Sequence, residues 1–213
     1  MRRRTLKGEI SFQGKGLHSG KPAELTLRPY QGKGYVFSFQ GGNSFELQQG
    51  SFSGDGRGVS ISFASGRSIK TPEHLLSSLS GHGIDDVEII IDSGDEIPAM
   101  DGSALEFSSS ILKIGTVEKE DLKDPIAIPV PYGKECPDHN SMMWFFPYEG
   151  FKITCVIDFP GTLIGTSCLS IEVDPSVFHS EIAPARTFAL STEISSLKER
   201  GLARGGSLEN AIL

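Results

Sequence analysis

Apolar and polar positions alternate with a period of two through much of the first 63 residues. The alternation is strict over 23–28 (AELTLR) and resumes over 59–63 (VSISF), which predicts strands with one buried face. Residues 5–12 alternate as well, and 35–39 (YVFSF) form a β-branched and aromatic run. Glycine-rich turns at 14–16 and 54–58 lie between these strands. The period then changes. Leu75, Leu76 and Leu79 recur at helical spacing, predicting a helix over 72–80 with an apolar stripe. VEIIID at 87–92 reads as a compact strand, and a second helix is predicted over 103–114, where Leu105, Ser108, Ser109 and Leu112 make a weak amphipathic face.

Residues 117–125 (VEKEDLKDP) are charged, contain a proline and lack a period, which places a domain boundary there. Beyond it the order repeats. Strands are predicted over 126–130, 141–146, 151–159 and 169–173, then helices over 175–182 and 192–200, the last stopped by Gly201. Two halves that each run from strands to helices predict an α+β protein of two similar units, 1–118 and 125–213. The final residues, SLENAIL at 207–213, read as an apolar strand with no closing turn.

Composition narrows the class. The chain of 213 residues is 38% hydrophobic and 22% charged, with 25 glycines and 12 prolines, a globular and turn-rich profile. A net charge of −7 counts against a partner bound through many phosphates, so no nucleic acid is expected. Arg2, Arg3 and Arg4 read as a solvated end. Three cysteines without paired spacing, Cys136, Cys155 and Cys168, predict a reducing compartment and no disulfides. No segment has the apolar length of a membrane span, and the basic N-terminus lacks an apolar signal core. A cytoplasmic protein is expected.

The candidate chemistry lies in KTPEHLLSSLSGHGIDD. Thr71 reads as an N-cap and Pro72 as the first helical residue, so Glu73 and His74 fall in the first turn. The positive potential there disfavours imidazolium and favours carboxylate. Both preferences suit a neutral metal ligand beside an ionised general base; ordinary capping chemistry is the plainer reading of the same pair. His82 reads as part of the turn after the helix, and His179 as a surface residue. Cys136 and His139 have a C-x-x-H form without a second pair. His18, in GKGLHSG, belongs to a hairpin tip or to a loop over a cleft. There is no Ser/His/Asp signature, phosphate loop or dinucleotide fingerprint.

Five blocks together resemble the zinc-dependent UDP-3-O-acyl-N-acetylglucosamine deacetylases of lipid A biosynthesis. They are TLKGEISFQGKGLHSGKPAELTLRP, TPEHLLSSLSGHGIDD, EIPAMDGSALEF, IAPARTFAL and GLARGGSLENAIL, in that order along nearly the whole chain. The resemblance implies two domains of β–α–α–β type, with helices packed between sheets as in ribosomal S5 domain 2, and an active site between the domains. It implies hydrolysis of the substrate's acetamide to a free amine and acetate. His74 would then be a ligand to Zn2+, Glu73 the general base, Thr187 the oxyanion donor, and Phe188 a substrate contact with His18. Leu190, Ile194, Leu197 and Leu202 would line an acyl passage, or else form a plain core stripe. Asp158 and Phe159 would lie near the uridine end. The expected partner is the UDP-sugar substrate alone, with the protein a monomer.

The family's remaining zinc ligands belong to an H-K-x-x-D segment downstream of G-G-S-x-x-N, and its second catalytic histidine to a later G-H pair. Neither follows within 213 residues. The expectation is an incomplete chain that alone holds zinc weakly. A truncated, non-catalytic paralogue that binds a nucleotide sugar or acyl chain is the alternative. An RNA-binding β–α sandwich is a third reading, against which the acidic balance counts.

Overall fold

A computed structural model describes residues 1–54 and 58–212, so the middle of the predicted 54–58 turn and the terminal Leu213 lie outside the described residues. The chain opens with β1 (Arg2–Leu6), β2 (Ile10–Lys15), β3 (Pro22–Pro29), β4 (Gly34–Phe39) and β5 (Asn43–Glu46). A small antiparallel sheet follows: β6 (Ser51–Gly54), β7 (Val59–Ser62) and β8 (Ser68–Lys70). Then come α1 (Glu73–Gly81), β9 (Asp86–Ser93), α2 (Leu105–Ile114) and β10 (Thr116–Leu122).

β9 organises the seven-stranded mixed sheet. It runs antiparallel to β3 and parallel to β4, and meets β1 at the single pair Thr5 and Asp86. The alternation read from AELTLR is realised, since Ala23, Leu25 and Leu27 are buried between half-buried or exposed neighbours. One core joins the two sheets to both helices. It contains Leu25, Phe37 and Ile89 of the large sheet, Ile61 and Ile69 of the small one, Leu75 and Leu79 of α1, and Phe107 and Ile111 of α2. Fully burying side chains of this size stabilises the fold by about 1.5–3 kcal/mol each.

Two readings from charge are corrected. Arg2, Arg3 and Arg4 all belong to β1; Arg2 is exposed, as a solvated end would be, whereas Arg3 pairs with the completely buried Asp86. The charged run at 117–125 is largely β10, with Arg4 opposite Glu118 on the neighbouring strand. Cross-strand charge pairing stabilises an edge strand that shows no apolar period. Lys119 of β10 reaches Asp86 at 2.9 Å and also donates to the Gln31 carbonyl at 2.9 Å.

The second half consists of two hairpins and short helical pieces. β11 (Tyr132–Cys136) pairs with β12 (Ser141–Phe145), and β13 (Lys152–Phe159) with β14 (Gly165–Glu172). One face of the second hairpin carries Ile153, Ile157, Leu169 and Ile171, and the other carries a Thr154–Ser170 hydroxyl contact. No strand forms over 126–130, because Pro125, Pro129 and Pro131 remove ladder donors. α3 (Pro175–Val177), capped by the Asp174 carboxylate, runs into a π-helical turn, Phe178–Ile182. α4 (Ile194–Glu199) follows a 3-10 turn. The end predicted as a strand is instead a turn at 208–210, and Ile212 makes one bridge to Phe188.

Asp86 sets a stability test. Burial alone would raise its carboxyl, but hydrogen bonds from Arg3, Lys119 and the Gly34 N–H, with the charge of Arg3, hold it below the usual range. Its contribution is therefore complete above the ordinary carboxylate value and lost as pH falls through the lower folded-state value. Asp86→Ala, which strands two cations, is expected to cost about 3–5 kcal/mol in urea unfolding at pH 7. An unchanged midpoint would show that the pair contributes nothing net.

Candidate active site

The site is assembled from four segments. The first is the start of α1. Thr71 takes a left-handed φ of 50° and fixes its N–H on the Val59 carbonyl at 2.8 Å. Pro72 thereby becomes the N-cap, and its carbonyl receives the Leu76 N–H at 2.9 Å. The predicted Thr71 cap is not made, because the left-handed turn leaves its hydroxyl buried without a partner. Glu73 and His74 occupy the first turn as expected.

The second segment is EIPAMDG. Lys70 donates its N–H to Asp95 and accepts from Ile97 at 2.9 and 3.0 Å, which lays this segment beside the approach to α1. The Glu96 carboxylate, 3% exposed, accepts from the N–H groups of His18 and Ser19 at 2.8 and 2.9 Å. It thus holds the third segment, the GLHSG turn. A Cβ on Gly16 would collide with that carboxylate, so the turn tolerates only glycine there. The fourth segment carries Thr187, whose N–H donates to the Gly102 carbonyl at 2.8 Å.

His18, Thr71, Glu73, His74, Pro98 and Thr187 all face one cleft of about 420 Å³. A second hollow of about 500 Å³ shares His18 and Thr71 and continues to Ser60, Lys70 and Leu202. Three buried polar atoms at the cleft have no protein partner: His18 Nε2, Thr71 Oγ1 and Glu73 Oε2. The Ala203 N–H donates to His18 Nδ1 at 3.4 Å, so the neutral ring carries its hydrogen on Nε2. Burial pushes His74 below the usual imidazole value, against the opposing charges of Glu73 and Asp101. A neutral imidazole and a carboxylate oxygen thus stand together at the head of α1.

The other predicted residues divide. The Phe188 ring lies edge-on to Phe159 at 5.3 Å, one residue after Thr187. Leu202 lines the second hollow. Leu190, Ile194 and Leu197 line neither cavity, and Leu197 is a buried packing residue. Asp158 accepts from Thr166 Oγ1 at 2.6 Å on its own hairpin. His179 is not a plain surface residue: its Nδ1 meets Ser108 Oγ at 2.8 Å, and the buried His82 meets the same hydroxyl at 2.7 Å. Sequence reasoning missed Glu96 and Thr71 as organisers of the cleft. For Glu96, the acidic residue at the head of EIPAMDG was the available signal.

The donors for a metal are fewer than a catalytic zinc needs. Such a site takes three protein ligands, and among the described residues no group of three His, Cys, Asp or Glu is placed to hold an ion. His74, neutral and at the cleft, fits as one donor; the described set does not make a zinc site by itself. Among the described residues no helix is long and apolar enough to cross a membrane.

Residues 3–213 match the family model described as UDP-3-O-acyl N-acetylglycosamine deacetylase (LpxC). The chain is 38% identical over 211 residues to a UDP-3-O-acyl-N-acetylglucosamine deacetylase of Thermodesulfovibrio yellowstonii, covering 99% of this chain and 71% of that protein. It is 40% identical over 217 residues to the protein of that name in Chlamydia muridarum, covering 99% and 73%. With the one in Bdellovibrio bacteriovorus it shares 34% over 215 residues, covering 99% and 70%. On this match, which runs through all four segments of the cleft, the chain belongs to the UDP-3-O-acyl-N-acetylglucosamine deacetylase family.

Proposed function

We propose that this protein hydrolyses the acetamide of UDP-3-O-acyl-N-acetylglucosamine to the free amine and acetate, a step of lipid A biosynthesis. The observation that carries the reading is the meeting of Glu73, His74, His18 and Thr187 in one cleft, in a chain whose relatives bear that enzyme name.

His74 would supply one nitrogen ligand to zinc. The bound ion would lower the pKa of water toward about 7 and polarise the amide carbonyl. Glu73 Oε2, buried and without a protein partner, would take a proton from the attacking water as general base. That proton is then available to the departing amine. The Thr187 hydroxyl donates to the oxygen that becomes negative when water adds to the carbonyl. His18 Nε2–H donates to a further oxygen of the substrate. Phe188 and Phe159 form an aromatic wall, and Asp158 lies toward the uridine end. Leu202, which lines the second hollow, serves the acyl chain. The reaction is placed in the cytoplasm, on a monomer with a UDP-sugar as its one substrate.

The decisive measurement is zinc-dependent acetate release from the UDP-sugar by the protein in the form its gene encodes. Release is expected, and a nucleotide-sugar binder without turnover would overturn the assignment. Glu73→Ala should keep bound zinc and lose about 10²–10⁴-fold in kcat, whereas His74→Ala should lose zinc. Equal zinc content in wild type and His74→Ala would remove His74 from the ligand set.

A titration gives an independent check. In chelator-treated protein the His74 ring should titrate below the ordinary value of about 6.5 when followed by NMR. Glu73→Gln removes a charge that raises it, so the midpoint should fall further; a rise would contradict the assigned environment.

A further inference from the structure

Three side chains outside the proposed chemistry form a closed polar cluster. His82 and Ser108 are 3% and 0% exposed. Ser108 Oγ lies 2.7 Å from His82 Nε2 and 2.8 Å from His179 Nδ1. The members come from three elements: His82 caps α1, Ser108 lies within α2, and His179 stands in the π-helical turn. Their surroundings are apolar. The Phe178 ring lies edge-on to His82 at 5.6 Å, and Phe178 packs with Ala104 and Ala183 in a second small core. A Cβ on Gly81 would enter the Phe178 ring, so the glycine lets this turn close onto α1. Arg4 from β1 and His179 from the π-helical turn are the charged or titratable groups acting on His82.

We propose that the His82–Ser108–His179 trio is an acid-sensitive latch that positions Thr187, by holding the segment 178–187 against α1 and α2. One hydroxyl serves two imidazoles. It accepts from the N–H of one ring and donates its single hydrogen to the bare nitrogen of the other. A first proton can be added on a nitrogen that faces away from Ser108, and both bonds survive. A second proton cannot. Both rings then point N–H groups at the serine oxygen, its hydrogen loses its acceptor within the trio, and two cations face each other with ring centroids 6.4 Å apart. The buried setting already opposes the first charge, since burial, His179 and Arg4 all push His82 below the ordinary imidazole value. The latch is therefore intact above the ordinary imidazole range and weakens as pH falls below it.

The route to the cleft is short. Ala183 donates its N–H to the Phe178 carbonyl at 2.7 Å, and its own carbonyl accepts from Ala104 N–H at 3.0 Å. Four residues later Thr187 is fixed to Gly102. The latch does not depend on the deacetylase reading; only the consequence for Thr187 rests on it.

The test is hydrogen exchange of amides 178–187 at pH 7.5 and 5.5, corrected for intrinsic rates. An imidazole with a released value of about 6.5 increases opening about tenfold at pH 5.5, and that increase is expected for the wild type. His179→Gln, which can still bond Ser108 but does not titrate, should lose most of the increase. Ser108→Ala should open faster already at pH 7.5. A flat wild-type response, or the same acid response in His179→Gln, would overturn the latch. In turnover, His179→Gln should shift the acid limb of kcat to lower pH with KM held. Exchange that behaves as stated without that shift would separate the latch from Thr187 and so reject its positioning role.

Discussion

The cleft depends on one buried carboxylate. Glu96 receives two consecutive N–H groups of the GLHSG turn, while its flanking backbone is bonded on both sides to Lys70. A charged acceptor buried at this depth is costly unless fully hydrogen-bonded, so the turn is held in the one geometry that satisfies it. That geometry places His18 in the wall of the cleft that Glu73 and His74 also line. The same segment runs on to Gly102, whose carbonyl accepts from Thr187. Three parts of the chain far apart in sequence are therefore tied to a single oxygen pair and its backbone neighbours.

A second buried acid does comparable work for the sheet. Asp86 starts β9 and gathers Arg3 of β1, Lys119 of β10 and the N–H of Gly34 at the start of β4. These strands meet where β9 begins, and their pairing places the following β9 residues against β3 and β4. Val87, Ile89 and Ile91 are buried along that strand. The register of the apolar core is thus anchored by an ionic knot at its end. α1 then packs Leu75 and Leu79 on that core, which fixes the direction in which its first turn points.

These two acids also explain what could be read from the sequence. Strands with a buried face announce themselves by alternation, as AELTLR does, and α1 by its leucine spacing. β10 has no such pattern, because pairing with β1 and the Lys119–Asp86 contact hold it rather than an apolar face. Arg3 escapes a local reading for the same reason: its partner, Asp86, lies more than eighty residues away. At the site, the first-turn position of Glu73 and His74 was legible from the leucine spacing of the helix. Glu96 was less so: the acid at the head of EIPAMDG is visible in the sequence, but the distant turn it binds is not. The strand expected at 126–130 failed on local grounds, three prolines in seven residues having removed the donors that a ladder needs.

Strain and unmet polarity coincide at Thr71, and of the unpartnered buried polar atoms among the described residues only Arg4 Nε lies away from the cleft. Thr71 is β-branched yet left-handed, a conformation that costs about 1–3 kcal/mol. Its hydroxyl, Glu73 Oε2 and His18 Nε2 are buried without protein partners, and each such group costs about 1–3 kcal/mol when nothing else meets it. Elsewhere the chain satisfies its buried acids completely, as at Asp86 and Glu96. The contrast is informative because the three bare atoms differ in kind: Glu73 accepts, His18 donates, and Thr71 does either. An occupant that satisfies all three must offer a hydrogen and lone pairs within one small volume. Water beside a carbonyl meets that description, which ties these three groups to the proposed amide hydrolysis.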